Sequence, residues 1–249
     1  RTYKVAKQHS SDNVMMLHSH IQFNPMVHAF GDYWLPGENT FRMMSQNLEH
    51  GYCEDISLEE YQSDYNWRTK GVAICMLVQQ GRSASMVPAL NAMVKETQTE
   101  PRYALSSLAA FLVHDFNIAA AYVSYAVVEQ WWTLKESINL GKVKDYHGYW
   151  KSDAVKSASP KIYCGWYEWE QPMPYDRVLV VSNFAREDQP AALTLDKQAL
   201  GIEGRAVIYH DLWNDAAVIP ESELATMTVG GNNFLLIGIK DIDAAKGGN

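Results

Sequence analysis

The chain has 249 residues, 47% of them apolar, and a net charge of −8. That is enough chain for one large domain or two ordinary ones with a sizeable core. The acidic balance, with no Lys/Arg cluster, argues against nucleic acid or an anionic membrane surface as a partner. No run approaches the roughly eighteen apolar residues of a membrane helix, and Cys53, Cys75 and Cys164 have neither metal-ligand spacing nor the even count of a disulfide framework.

The first thirteen residues, RTYKVAKQHSSDN, read as the tail of a helix and a turn. They begin without Met, so the expectation is the C-terminal part of a longer protein, with any export signal upstream. Residues 14–17 are an apolar run that stops abruptly at His18, Ser19 and His20. Asn24, His28, Asp32, Tyr33, Trp34 and Glu38 follow, broken up by Pro25, Gly31, Pro36 and Gly37. This predicts a short buried strand opening into a long polar loop. In α/β enzymes the rigid strand carries reactive groups at its C-terminal end in this way. Two carboxylates beside a Tyr-Trp pair suit a sugar, because acids transfer protons and flat rings stack on a pyranose.

Ser57 with Glu60 forms a capping box at the head of a helical segment. Residues 71–80, GVAICMLVQQ, form a continuous apolar run, expected as a second strand buried on both faces. The runs at 14–17 and 72–78 are expected to be neighbouring parallel strands. Residues 86–96 can be helical. Pro101, at a tolerated first-turn position, opens a long helical pattern through residue 123 that continues over 123–139, with Gly141 as the stop. The polar tract 142–161 reads as a connection between domains. From Ile162 the pattern changes to short strand-like segments separated by turn residues, which signals an antiparallel sandwich. The expected organisation is α/β followed by all-β: residues 1–158 as part of a (β/α)8 barrel and residues 159–249 as a β-sandwich.

Each candidate residue has a functional and a structural reading. Glu38, in LPGEN, reads as a general acid or as a solvated loop acid, and so does Asp32. His18 and His20, two apart at a strand end, could ligate zinc in a metal-dependent hydrolase or hydrogen-bond a polar ligand. His114 and Asp115 read as a helix-borne polar pair facing a loop. At most one of Trp131 and Trp132 can face a given site, since neighbours on a helix lie about 100° apart. Tyr146, Tyr149 and Trp150, in the Gly-broken DYHGYW, are candidates for a substrate wall. Glu168 and Glu170 alternate with Trp166 and Trp169 as sandwich surface or domain interface. The cysteines lack a partner base, and no P-loop, G-x-G-x-x-G or G-x-S-x-G is present.

The strand ending in HSH, followed by Phe30, Asp32, Gly37 and Glu38 in the spacing F-x-D-x-x-x-x-GE, resembles the late barrel strands of bacterial glycoside hydrolases similar to the glycoside hydrolase 123 group. RVLVVSNFA, the Leu-Gly-Ile turn, YHDLWND and NNFLLIGIK resemble the β-sandwich that follows the barrel in amylase-like and α-galactosidase-like enzymes. The resemblance implies a barrel whose first half is missing here and hydrolysis of an O-glycosidic bond. It implies Glu38 or Asp32 as proton donor, His18, His20, Tyr33, Trp34, Tyr149 and Trp150 as sugar-binding residues, no cofactor or metal, and an extracellular or periplasmic setting. The adjacent acidic pairs, Glu54-Asp55 and Glu187-Asp188, do not fit that group's Asp-Glu pair. Its substrate-assisted mechanism is therefore not carried over, and the nucleophile is expected upstream of Arg1. The alternatives are a non-catalytic carbohydrate-binding protein and the metal-dependent hydrolase.

Overall fold

The computed structural model describes residues 99–118, 123–170 and 173–242, the strand residues 16–18, 33–35 and 73–74, and the single positions Gln8 and Leu58. The chain divides into two compact units. One comprises Arg1–Tyr103 with Phe116–Tyr125, the other Ala104–Asp115 with Ala126–Asn249.

In the first unit, β1 (Met16–His18) pairs in parallel with β2 (Tyr33–Leu35). Likewise β3 (Ala73–Ile74) pairs in parallel with β4 (Asn117–Ile118). Both apolar runs at 14–17 and 72–78 therefore contribute strands to parallel pairs. Among the described residues they do not pair with each other: β1 pairs with β2 and β3 with β4, in separate two-stranded sheets. Among the described residues no barrel closes. The expectation of one polar loop after β1 also needs correcting, because Tyr33 and Trp34 lie in β2. The aromatic and apolar triplet Tyr33-Trp34-Leu35 is suited to a pleated strand despite the turn residues on either side.

Helix α1 (Pro101–Leu112) begins at its proline but is shorter than the sequence pattern suggests. His114 and Asp115 close it with short bonds from their N–H groups to the carbonyls of Phe111 and Leu112, 3.1 and 3.2 Å. Asp115 then takes the left-handed conformation at φ 60°, which ends a helix. A second helix, α2 (Tyr125–Ser137), stops at Asn139, left-handed at φ 57°, rather than at Gly141. Asparagine tolerates that conformation through local side-chain hydrogen bonding.

The second unit is built on a six-stranded antiparallel sheet. Its strands are β5 (Val143–His147), β7 (Ile162–Trp169), β8 (Arg177–Asn183), β11 (Val207–Asp211), β12 (Ala217–Ile219) and β14 (Phe234–Asp241), in the order β12-β11-β14-β8-β7-β5. Two small antiparallel sheets accompany it. They pair β6 (Val155–Ser157) with β10 (Leu193–Leu195), and β9 (Gln189–Pro190) with β13 (Thr228–Val229). The sheets thus begin before residue 159, because β5 and β6 arise from the polar tract 142–161.

Strand alternation fixes which side chains share a face. Ile162, Cys164 and Trp166 of β7, Leu179 and Val181 of β8, Tyr209 of β11 and Leu235, Ile237 and Ile239 of β14 form one core with Val155, Leu193 and Val229 of the small sheets. The segments at 178–182, 206–210 and 234–239 thus contribute to one core, as the sequence pattern predicts. The Leu-Gly-Ile turn serves it as a plug: Leu200 and Ile202 are buried on either side of Gly201, whose φ is 69°. On the opposite face Val178, Val180 and Leu236 are wholly buried, and the end of α1 meets this face through Tyr146 and Tyr167. Burial on both faces explains the unbroken apolar run VLVV in β8.

Candidate functional site

The parallel register of β1 and β2 sets His18 opposite Leu35, with Met16 opposite Tyr33 and Leu17 opposite Trp34. In a parallel pair the C-terminal residues of the two strands, His18 and Leu35, lie at the same end. In the sequence Ser19-His20 follows β1, Pro36-Gly37-Glu38 follows β2, and Asp32 precedes β2. Asp32, His20 and Glu38 lie outside the described residues.

The described site with the most developed chemistry is the aromatic assembly around His114, in the second unit. His114 is 1% exposed. Its Nδ1 lies 2.6 Å from the Ala110 carbonyl oxygen and its Nε2 lies 3.0 Å from the Tyr149 hydroxyl. A carbonyl can only accept, so Nδ1 carries the proton and Nε2 accepts from Tyr149. Burial outweighs that backbone bond and pushes the imidazole down to about 4, which keeps it neutral. Trp150 stacks on the imidazole, with centroids 5.6 Å apart and planes 14° from parallel, and Tyr149 meets it edge-on at 5.5 Å. Tyr149 also meets Trp150 and Tyr163, each at 5.0 Å.

Two further phenols tie the sheet to the end of α1. Tyr146 donates to the Val113 carbonyl at 2.7 Å, and Tyr167 donates to the Asp115 carboxylate at 3.1 Å. Burial, and then the Asp115 charge, push both phenols well above their ordinary range, so neither releases a proton near neutrality. The Tyr146 ring needs the space at Gly165, where a Cβ would collide with its hydroxyl. In this setting Tyr149 and Trp150, expected as a substrate wall, are partly exposed rings packed on His114. His114 itself, with both nitrogens engaged, is set up to orient these rings rather than to shuttle protons.

A second constellation lies on β5, β7 and β8. The Glu168 carboxylate accepts from Lys144 Nζ at 3.3 Å and from His147 Nε2 at 3.2 Å, and Arg177 Nη2 lies 3.9 Å away. The His147 ring stacks on Trp166 with centroids 3.8 Å apart and planes 10° from parallel. Burial alone would raise the Glu168 carboxyl, but the bonds from His147 and Lys144 and the charge of Arg177 outweigh it and hold the group below the usual carboxylate value. The sequence marks Glu168 as surface or interface. Its partners Lys144, His147 and Arg177 come from positions too far along the chain for spacing to reveal. Among the described residues no group of three or more His, Cys, Asp or Glu side chains could hold a metal ion. Cys164 is buried in the core, and burial pushes its thiol up to about 12, which removes thiolate character.

Compared with known proteins, the chain matches no family model and no curated protein.

Proposed function

We propose that this chain is part of a glycoside hydrolase, with Glu38 as the general acid that protonates the departing sugar oxygen. The observation that carries the reading is the parallel pairing of β1 and β2 in the register His18 to Leu35. In the sequence Ser19-His20 follows β1 and Pro36-Gly37-Glu38 follows β2, and α/β enzymes gather catalytic groups after the C-terminal ends of parallel strands. Asp32 is the weaker candidate, since in the sequence it precedes β2 rather than following it. Parallel strand pairs and an antiparallel six-stranded sheet support the reading, whereas the separation of β1-β2 from β3-β4 into two sheets counts against the barrel. His18, His20, Tyr33 and Trp34 would hold the sugar's hydroxyls and ring faces, and Tyr149 and Trp150 remain proposed as part of its wall. No residue is assigned as nucleophile.

Glu38→Gln is nearly isosteric and removes the transferable proton. It should lower turnover about a hundredfold or more on sugars with poor leaving groups. Aryl glycosides with acidic leaving groups need little protonation and should lose much less. Unchanged rates on both substrate types would overturn the assignment. Sugar binding without hydrolysis by the unsubstituted protein would point instead to a carbohydrate-binding role.

A further inference from the structure

β5 is an edge strand of the six-stranded sheet, paired with β7. Its sequence, VKDYH, is mostly polar, and four of its five residues are exposed or only partly covered, Tyr146 alone being buried. An irregularity between Val143 and Asp145 inserts Lys144 as an extra residue where β5 passes Trp169 and Glu168. Such a bulge re-aims a side chain, and here Lys144 reaches the Glu168 carboxylate. His147, three residues on, reaches the other oxygen of the same group. From the opposite side, Arg177 stands directly across from Glu168 in the β7–β8 register. One carboxylate on β7 thus gathers Lys144 and His147 from the edge strand and Arg177 from the interior strand.

We infer that Glu168 is an acid-release latch for β5: its carboxylate holds the edge strand to the sheet at neutral pH, and protonating it lets the strand go. Glu168, Lys144, His147 and Arg177 are the groups in contact. Asp145 lies across from Glu168 in register but turns its carboxylate to the N–H of Tyr146. Asp176 and Arg205 act on Arg177 from farther away, and Arg205 is itself paired with Asp241. With Glu168 ionised, the node is one anion among three donors. With Glu168 neutral, the Lys144 ammonium and the Arg177 guanidinium lose the anion they share across the β5–β7–β8 seam. Carboxyls held low in the folded state contribute stability that is complete above their unfolded value and lost as pH falls through the folded one. The latch therefore opens on acidification.

Opening would travel along the chain. β5 runs directly into Gly148, Tyr149 and Trp150, whose rings pack on His114 at the end of α1. Tyr146, inside β5, carries the bond to the Val113 carbonyl. Releasing β5 therefore loosens the aromatic assembly while leaving the β8–β14 pairing in place.

Residue-resolved hydrogen exchange on the full chain tests this. At neutral pH, Glu168→Gln should lower the protection of the β5 amides bonded to β7 about tenfold and leave β8 and β14 unchanged. The difference between the parent and Glu168→Gln should vanish as pH falls through the titration of Glu168. Equal β5 protection in the two proteins at neutral pH overturns the latch. So does a loss spread evenly over β5, β8 and β14, which would mark plain destabilisation. Should Glu168→Gln fail to fold, the parent alone decides. High salt should then deprotect β5 selectively at neutral pH but not in acid, and a salt response absent at neutral pH or equal at both overturns the proposal.

Discussion

The two faces of the six-stranded sheet are closed by different means. Toward the small sheets, Leu179, Val181, Ile237 and Ile239 interlock with Leu200, Ile202 and Val229 in a mostly aliphatic layer. Toward the end of α1, closure depends on rings with polar tips. Tyr146 binds a carbonyl, Tyr167 a carboxylate and Tyr149 the imidazole of His114. An aliphatic layer stabilises in proportion to the area it removes from water, with little directional demand. Phenols and imidazole add a requirement for particular partners, since each buried polar atom left unpaired costs free energy. The first face supplies stability and the second fixes the position of Tyr149 and Trp150, the rings proposed to meet a sugar.

The comparison is broken most severely on the aliphatic side. Leu179 is wholly buried, and Leu179→Ala removes its contacts and leaves a cavity. Denaturant unfolding should show a loss of about 2–5 kcal/mol, with no change in its pH dependence.

His114 should give the next largest effect, and it belongs to the other face alone. Its folded value lies below the unfolded one, so between about 4 and 6.5 the unfolded chain binds the proton and the folded chain does not. Stability is therefore complete above that window and falls as pH drops through it, by about 3 kcal/mol in all. Stability curves for His114→Gln should lose this slope, whereas Leu179→Ala should retain it.

The smallest effect sharpens the contrast. Gly165→Ala forces the Tyr146 ring away and should cost about 1–3 kcal/mol. Because the hydroxyl is the nearest atom, Tyr146→Phe in the same protein should recover part of that loss. A double-mutant cycle on thermal unfolding would read the coupling, and strictly additive effects would contradict the packing described.

How much of this was legible depended on whether an element's signal is local. β7, β8, β11 and β14 carry apolar runs or alternation of their own, and the sequence places them well. β5 does not, since VKDYH is polar; it becomes a strand through its pairing with β7 and the burial of Tyr146 on a distant carbonyl. β9 and β12 have two and three residues, too few for a period to show. The apolar FLV before His114 extends the helical pattern past the true end of α1, and only the left-handed Asp115 reveals the stop. Tyr33 and Trp34 read as loop because Gly31 and Pro36 flank them, although the triplet itself suits a strand. For the candidate site, the aromatic run DYHGYW is visible in sequence, but its partner His114 lies 35 residues before Tyr149. The Glu168 node joins three strands and has no signature along the chain.

The proposed function assigns the acid to Glu38, which follows β2 in the sequence, rather than to Asp32, which precedes it. Glu38→Gln and Asp32→Asn compared side by side on one glycoside with a poor leaving group test it most directly. Turnover in Glu38→Gln should fall about a hundredfold or more, with Asp32→Asn retaining most of the parent rate. A collapse in Asp32→Asn with Glu38→Gln left active would contradict the account.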